Sequence, residues 1–474
     1  MNVLIRVVPS LLIVATLSAC LYSSRAPLLV EPDGEPGDLL IQNARLFTGK
    51  PGDAVRGNVD LLIRGGRIVA IGAGLDGGAA RVFDAAGRTV TPGLVDAHTH
   101  ITSPLSPPWM LAAPTVERTL AAFLYGGTTT VLDQGSLRGA AAGFAEQERA
   151  GEMLSPRIYH SGRPFAAVDG HPASMIKLFV PWPVSTFFIN ASYHSLKDQS
   201  PDEIKALVAT NKAAGAAYTK IYFDEIPLEV PVLMREQIKA IAFASKAADL
   251  PVMIHVGREE HVNVALDAGV RIFVHGPYRS RMSRATVQRM ADLEVVMAPT
   301  VTVFDGIVKS ERNEWKFTDM DLAILDEREL RAWRERPEDF GRTGPFADWL
   351  EEARKFETDK FDSIVAYRDA GVRLLVATDS PNFALFSGSA MHRELETFVR
   401  LGWSPTEALQ AATYHPGRIV EGIRGGEKGL GHIRAGGPAD LLIVDGRPDE
   451  NIADLQKIHR IVLKGRLLKR RQAQ

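Results

Sequence analysis

Residues 91–100 read TPGLVDAHTH, an apolar run that opens on Pro and Gly and closes on two histidines one residue apart. Gly93 to Ala97 is short, apolar and bounded by a turn signal, the pattern of a buried strand. On an extended chain, side chains two positions apart point to the same side, so His98 and His100 leave the strand end together. Alone they are either polar residues closing a strand or half of a metal site. The answer depends on whether other strand ends carry the same kind of residue.

Working outward, short apolar runs recur between helical patterns: GLVDAH (93–98), GTTTVLD (127–133), RIYHSG (157–162), AYTKIYF (217–223), PVMIHV (251–256), RIFVHG (271–276), EVVMAPT (294–300) and RLLVATD (373–379). Helix starts between them are well marked. Ser200-Pro201-Asp202-Glu203 and Ser404-Pro405-Thr406-Glu407 each place a capping Ser first, Pro at the first helical position and Glu at the third. Eight strands alternating with helices over 93–425 predict an α/β fold, a (β/α)8 TIM barrel with its chemistry at the C-terminal strand ends. An open doubly wound sheet is the alternative. The charged, Trp-containing stretch 306–360 follows the seventh run and reads as an insertion or helical lid over the barrel mouth.

The two ends of the chain differ from its middle. Residues 38–92 hold LLIQNARLFTG, VDLLIRGGRIVAIG and RVFDAAGRTVTPG, with Gly65-Gly66 as a hairpin signal; residues 426–474 hold ADLLIVDG and IHRIVLKGRLL. One small β-sandwich domain formed from both termini is the economical expectation. GAGLDGG at 72–78 has no helix after it and reads as a turn rather than a phosphate loop.

The extreme N-terminus carries a leader. Val7 to Ala19 is apolar but shorter than the ~20 residues a spanning helix needs. It ends Leu17-Ser18-Ala19-Cys20, which resembles a bacterial lipobox, so 1–20 is expected to be a lipoprotein signal peptide, Cys20 the lipidated residue and 21–37 a tether. That implies export to the periplasmic side of a bacterial membrane, the outer membrane given Leu21 after the Cys. Cys20 is the only cysteine of the 474 residues, which excludes a disulfide framework and a Cys-type zinc site. Net charge is -2, so no basic field argues for nucleic acid, and a small-molecule substrate is expected instead. Oligomeric state is not readable.

Asking what else stands at strand ends answers the opening question. Lys220 lies within AYTKIYF, His255 near the end of PVMIHV, His275 near the end of RIFVHG, and Asp379 closes RLLVATD. A Lys inside an apolar run is costly unless paired or neutralised. Six metal-capable groups on one rim point to a metal centre rather than to independent strand-end polar residues.

With these residues in place, the chain resembles the amidohydrolase superfamily, in its imidazolonepropionase/Xaa-Pro dipeptidase-like branch. The resemblance rests on TPGLVDAHTH, GGTTTVLDQG, AGVRIFVHG, VATDS, HRELETFVRLGWSPTEALQAATYHPGRIV and GLGHIRAGGPADLLIVDG, in that order along nearly the whole chain after the leader. It implies a binuclear centre of divalent ions, zinc first with manganese, iron or cobalt also suited. His98 and His100 would hold the buried ion, His255 and His275 the other, and N6-carboxylated Lys220 would bridge them. Asp379 would be both ligand and catalytic proton carrier for a metal-activated water. The stretch before Lys220, Ala216-Ala217-Tyr218-Thr219, departs from the branch's pattern and leaves open a single ion with an unmodified Lys220. His171, in VDGHP, and Tyr222, two residues after Lys220, are candidate substrate-binding residues; Arg163 and Arg279 could clamp an anionic group, and His392 reads as structural. The implied activity is hydrolysis of an amide-type bond in a dipeptide, N-acyl amino acid or cyclic amide. Alternatives are a lactone, ester or phosphotriester hydrolase, or a catalytically silent binding protein.

Overall fold

The structure is a computed structural model, and it describes residues 29–471 apart from 111, 113 and 114. The expected signal segment, Cys20 and the first part of the tether lie outside the described residues. Among the described residues, no helix is long and apolar enough to cross a membrane.

The chain begins with β1 (Val30–Pro32), β2 (Leu39–Leu46), β3 (Arg56–Arg64), β4 (Arg67–Gly72), β5 (Arg81–Asp84) and β6 (Thr89–Pro92). The middle of the chain contributes β7 (Leu94–Thr99), β8 (Thr128–Asp133), β9 (Arg157–His160), β10 (Phe165–Ala167), β11 (His194–Leu196), β12 (Thr219–Phe223), β13 (Val252–Val256), β14 (Ile272–Val274), β15 (Val296–Ala298) and β16 (Arg373–Leu374). It ends with β17 (Leu441–Val444), β18 (Ile458–Leu463) and β19 (Arg466–Arg470).

Strands from both termini form one sheet in the order β1-β19-β18-β17-β6-β2-β3-β4, with β5 beside β2. The two halves meet where β17 runs antiparallel to β6, Leu441 opposite Pro92 and Val444 opposite Thr89. Leu39 and Ile41 of β2, Leu61 and Ile63 of β3, Leu441 and Ile443 of β17 and Leu467 of β19 share one apolar cluster, so a single ladder wraps its own core. The β3–β4 hairpin turns on Gly65 and Gly66 with φ of 54° and 76°, the doubly left-handed geometry that Gly adopts without a Cβ penalty. Part of the expected tether is structured: Val30–Pro32 pairs antiparallel with β19, and the Val30 side chain is wholly buried. Val30 belongs to a second apolar cluster with Leu442, Ile461 and Leu468, where a β-branched apolar residue gains more than in a solvated linker.

All eight expected runs between the two ends are strands, and all pair in parallel. They lie in a sheet β7-β8-β9 and a sheet β11-β10-β12-β13-β14-β15-β16. β10 and β11, three residues each, were not expected, being too short for a period-2 signal. Backbone hydrogen bonds join the two sheets: Asp379 N to His98 O at 2.7 Å and His100 N to Ser380 O at 3.0 Å on one side, Ala217 N to His160 O at 2.9 Å on the other. The intervening helices start where their caps direct. Ser200 Oγ accepts from Glu203 N while Glu203 Oε2 accepts from Ser200 N, and Ser404 and Glu407 repeat the arrangement. The 306–360 stretch is helical over much of its length, with Val301–Glu311 leading into it and Asp319–Ile324, Glu327–Arg334 and Gly344–Arg354 following.

Candidate metal centre

The expected ligands gather at or near the C-terminal ends of the parallel strands, apart from Lys220, the second residue of its strand. His98 is in β7 with His100 just beyond it, Lys220 is in β12 and His255 in β13; His275 directly follows β14, and Asp379 lies a few residues past β16. Asp379 Oδ1 is 3.1 Å from His98 Nε2 and 3.0 Å from His100 Nε2, and its Oδ2 is 3.9 Å from His275 Nε2. Ring centroids of His98 and His275 are 4.5 Å apart, and those of His255 and His275 4.2 Å. His98, His275 and Asp379 each present a ligand atom within 4.8 Å of the others.

Local backbone explains why these side chains converge. His275 and Asp379 have φ of 86° and 62°, so the backbone turns at His275, directly after β14, and again at Asp379, beyond β16. Such conformations cost on the order of 1–3 kcal/mol and persist only where surroundings hold them. Here the surroundings include the Asp379 N to His98 O bond and the buried Asp96 carboxyl, which accepts from His98 N, Thr378 N and Thr378 Oγ1.

The donor chemistry fits divalent cations. Outer partners occupy one nitrogen of three rings: His100 Nδ1 contacts Gly135 O at 3.0 Å, His275 Nδ1 contacts Thr300 Oγ1 at 2.5 Å, and His255 Nε2 contacts Asp224 Oδ2 at 3.1 Å. Metal-ligating imidazoles are commonly oriented in this way. His255 Nδ1 and both His98 nitrogens are buried without a hydrogen-bond partner. Burial pushes His98 and His275 well below the usual imidazole range and His255 down to about 3, so all three are held neutral, the form that binds metal. Burial alone would raise the Asp379 carboxyl, but His275, His100 and Lys220 hold it below its ordinary value and therefore ionised.

Lys220 is fully buried; its Nζ has no hydrogen-bond partner and lies 4.8 Å from the centre of the Tyr222 ring. Burial pushes its amine down to about 7, which leaves a substantial neutral fraction at neutral pH.

Asp224 was not singled out in the sequence, yet it organises one side of the centre. Its carboxylate is wholly shielded and holds His255 Nε2, accepts from Tyr278 Oη at 2.6 Å and pairs with the buried Arg279 guanidinium. Burial would raise its pKa, but Arg279 and the hydrogen bond from His255 keep it well below the ordinary carboxylate value. The available signal was periodic: Lys220, Tyr222 and Asp224 alternate along one strand and its exit, so they share a side.

A cavity of about 380 Å³ opens beside the ligands. His100, His255, His275, Asp379, His171, Tyr193 and Tyr222 form its polar end. The two candidate substrate residues are thus both there, the His171 ring 5.1 Å from that of His255 and 5.4 Å from that of Tyr222. The remaining wall is mostly apolar and includes Ile307, Phe346 and Trp349 from the 306–360 stretch. Two sequence candidates do not belong to it. Arg279 is committed to Asp224, and Arg163 donates to the carbonyls of Asn190 and Tyr193 at 2.7 and 2.5 Å. His392 contacts Gly126 O at 2.8 Å, the structural role expected for it.

A model of the amidohydrolase family matches residues 89–468. Among curated proteins, allantoinase of Escherichia coli (strain K12) is 38% identical over 96 residues, a match that covers 20% of this chain and 19% of that one. Among solved structures, a Xaa-Pro dipeptidase with bound methionine in its active site superposes with a TM-score of 0.71 at 21% identity, over 91% of this chain and 100% of that one. Molinate hydrolase superposes with a TM-score of 0.72 at 17% identity, over 92% and 95%. Likeness at these identities is one of fold.

Proposed function

The chain belongs to the amidohydrolase family, and from that premise we propose that it is a metal-dependent hydrolase of an amide-type bond in a small molecule. We read the two parallel sheets as one (β/α)8 barrel closed by the His98–Asp379, His100–Ser380 and His160–Ala217 backbone bonds, the terminal sheet as its companion domain, and 306–360 as a lid. The observation that carries the functional reading is a set of buried nitrogens without partners, His98 Nδ1, His255 Nδ1 and Lys220 Nζ, around an ionised carboxylate that His98 Nε2 and His100 Nε2 approach at 3.1 and 3.0 Å. Groups buried in this way without partners are costly, and a cation satisfies them together.

His98, His100, His255, His275, Lys220 and Asp379 would hold two divalent ions, with Lys220 bridging as its carbamate. Its depressed pKa supports that modification, because only a neutral amine adds carbon dioxide. Cations held there supply Lewis acidity, polarising the amide carbonyl and lowering the pKa of an attacking water. Asp379, ionised and fixed by the Asn382 Nδ2 donor at 2.8 Å, takes the proton that water releases and delivers it to the departing nitrogen. His171 and Tyr222 border the position of the amide group. The leader sequence supports a further proposal of export and lipid anchoring at Cys20.

The test is reconstitution of chelator-treated protein with zinc or manganese and bicarbonate, followed by a screen of amides, dipeptides, N-acyl amino acids, lactones and cyclic amides. Amide hydrolysis should vanish on chelation, return with metal and be absent in Asp379→Asn. Hydrolysis undiminished by metal removal would overturn the reading.

A further inference from the structure

The wall of the cavity is suited to one electrical class of ligand. Away from the histidines it is built by Met175, Phe179, Val303, Ile307, Phe346 and Phe383, contributed by three helices and the loop after Asp379. Phe346 stacks on Phe383, centroids 5.7 Å apart and planes 22° apart, so the wall is aromatic here. Among the described residues, no Lys or Arg lines the cavity. Several of its polar groups already have partners. The Trp349 indole N–H donates to Tyr278 Oη at 3.3 Å, Asn382 Nδ2 donates to Asp379, and Asn382 Oδ1 accepts from Phe383 N. The nearby guanidinium, that of Arg279, is turned to Asp224.

We propose that the substrate is uncharged around its scissile bond: an amide, carbamate or urea with aryl or branched alkyl groups, rather than a dipeptide or N-acyl amino acid bearing a free carboxylate. The proposal rests on the hydrolase reading above and selects among its substrates. A carboxylate lodged against this apolar wall, away from the proposed ions, loses its water and meets no Lys or Arg among the described residues. An aryl group replaces water against faces that favour offset and edge contacts. At about 380 Å³ the cavity is at the small end of small-molecule sites, so a group within it is largely desolvated.

The experiment uses a matched pair, benzanilide and its para-carboxylate analogue on the aniline ring, with the zinc-loaded full chain. Dissociation constants are measured by equilibrium dialysis and hydrolysis by product release. The neutral member should bind roughly 100-fold more tightly than the carboxylate, the penalty expected for an unpaired buried ion. Met175→Arg, which places a cation on the wall at a half-buried position, should narrow that ratio at least tenfold (roughly the effect of one new ion pair). Equal affinities, tighter binding of the carboxylate, or no binding of the neutral member overturns the proposal. A neutral preference without hydrolysis of either compound leaves this inference standing and counts against the hydrolase reading instead.

Discussion

Replacing Asp224 with Asn changes one atom and the charge at the point where a metal-ligand candidate, an arginine and a tyrosine meet. In the wild-type protein the carboxylate has no exposed surface and serves His255, Tyr278 and Arg279 together. The amide keeps an acceptor for Tyr278 but takes from the buried Arg279 guanidinium its close countercharge, leaving it only the Glu225 carboxylate, Oε2 3.7 Å from Nη1. Removing one partner of a buried ion pair costs about 3–5 kcal/mol, because the remaining charge stays desolvated. Loss of the carboxylate behind His255 should also weaken metal binding roughly 10- to 100-fold. The assay is urea unfolding of metal-stripped wild-type, Asp224→Asn, Arg279→Met and the double variant, followed by tryptophan fluorescence, with zinc affinity measured separately. The double variant should be more stable than Asp224→Asn alone, since it no longer carries a buried guanidinium deprived of its close partner. A loss below about 1 kcal/mol in Asp224→Asn, the range of an exposed pair, or a double variant no more stable than the single, would refute the reasoning.

Three further outcomes are expected. Lys220→Ala, prepared with zinc and bicarbonate, should hold fewer than the about two ions per chain that a bridged centre implies and lose activity; two ions with full activity would remove Lys220 from the bridge. The metal-stripped protein should lose stability as the pH falls from 6.5 toward 4. Burial holds His160 and His392 down to about 4, so across that window the unfolded chain binds protons that the folded chain does not. Each contributes on the order of 2–3 kcal/mol that is fully present above pH 6.5; calorimetric midpoints that do not change between pH 7.5 and 4.5 would count against it. If the proposed leader directs lipidation at Cys20, Cys20→Ala should move the protein from the membrane to the soluble periplasmic fraction, and an unchanged distribution would exclude lipidation.

The candidate ligand set was readable in the sequence because its members other than Lys220 stand at or near the end of a short apolar run, Lys220 being a charge inside one, and a strand's period of two places such residues without knowledge of its neighbours. His98 and His100 are the clearest case. Asp224 obeys the same period from Lys220 but follows the strand rather than ending it, and its meaning depends on Arg279 and Tyr278, which arrive from beyond β14. Arg279 itself read as a possible anion clamp, since a sequence gives a charge without its partner. The cavity wall was least legible. Met175, Val303 and Phe346 are unremarkable apolar helix positions, and only the packing of three helices around one mouth gives them a common surface. β10 and β11 were missed for a simpler reason, each being shorter than one full alternation of the pattern that reveals longer strands.

The terminal sheet has a consequence for how the molecule is made. Arg471 Nε meets Glu31 Oε2 at 2.7 Å across 440 residues of sequence, and β1 has β19 for its partner. A chain emerging from the ribosome amino end first can pair β2 with β3, β5 and β6, but has nothing to zip β1 against until β19 has been made. The parallel strands can collapse among themselves earlier, but the sheet is a clasp that fastens only once β17 to β19 have been made. Contacts between such distant segments form late because the loop between them must close first. A message truncated after Val420 would therefore yield a protein with every proposed metal ligand and no clasp, its β6 edge open to other chains.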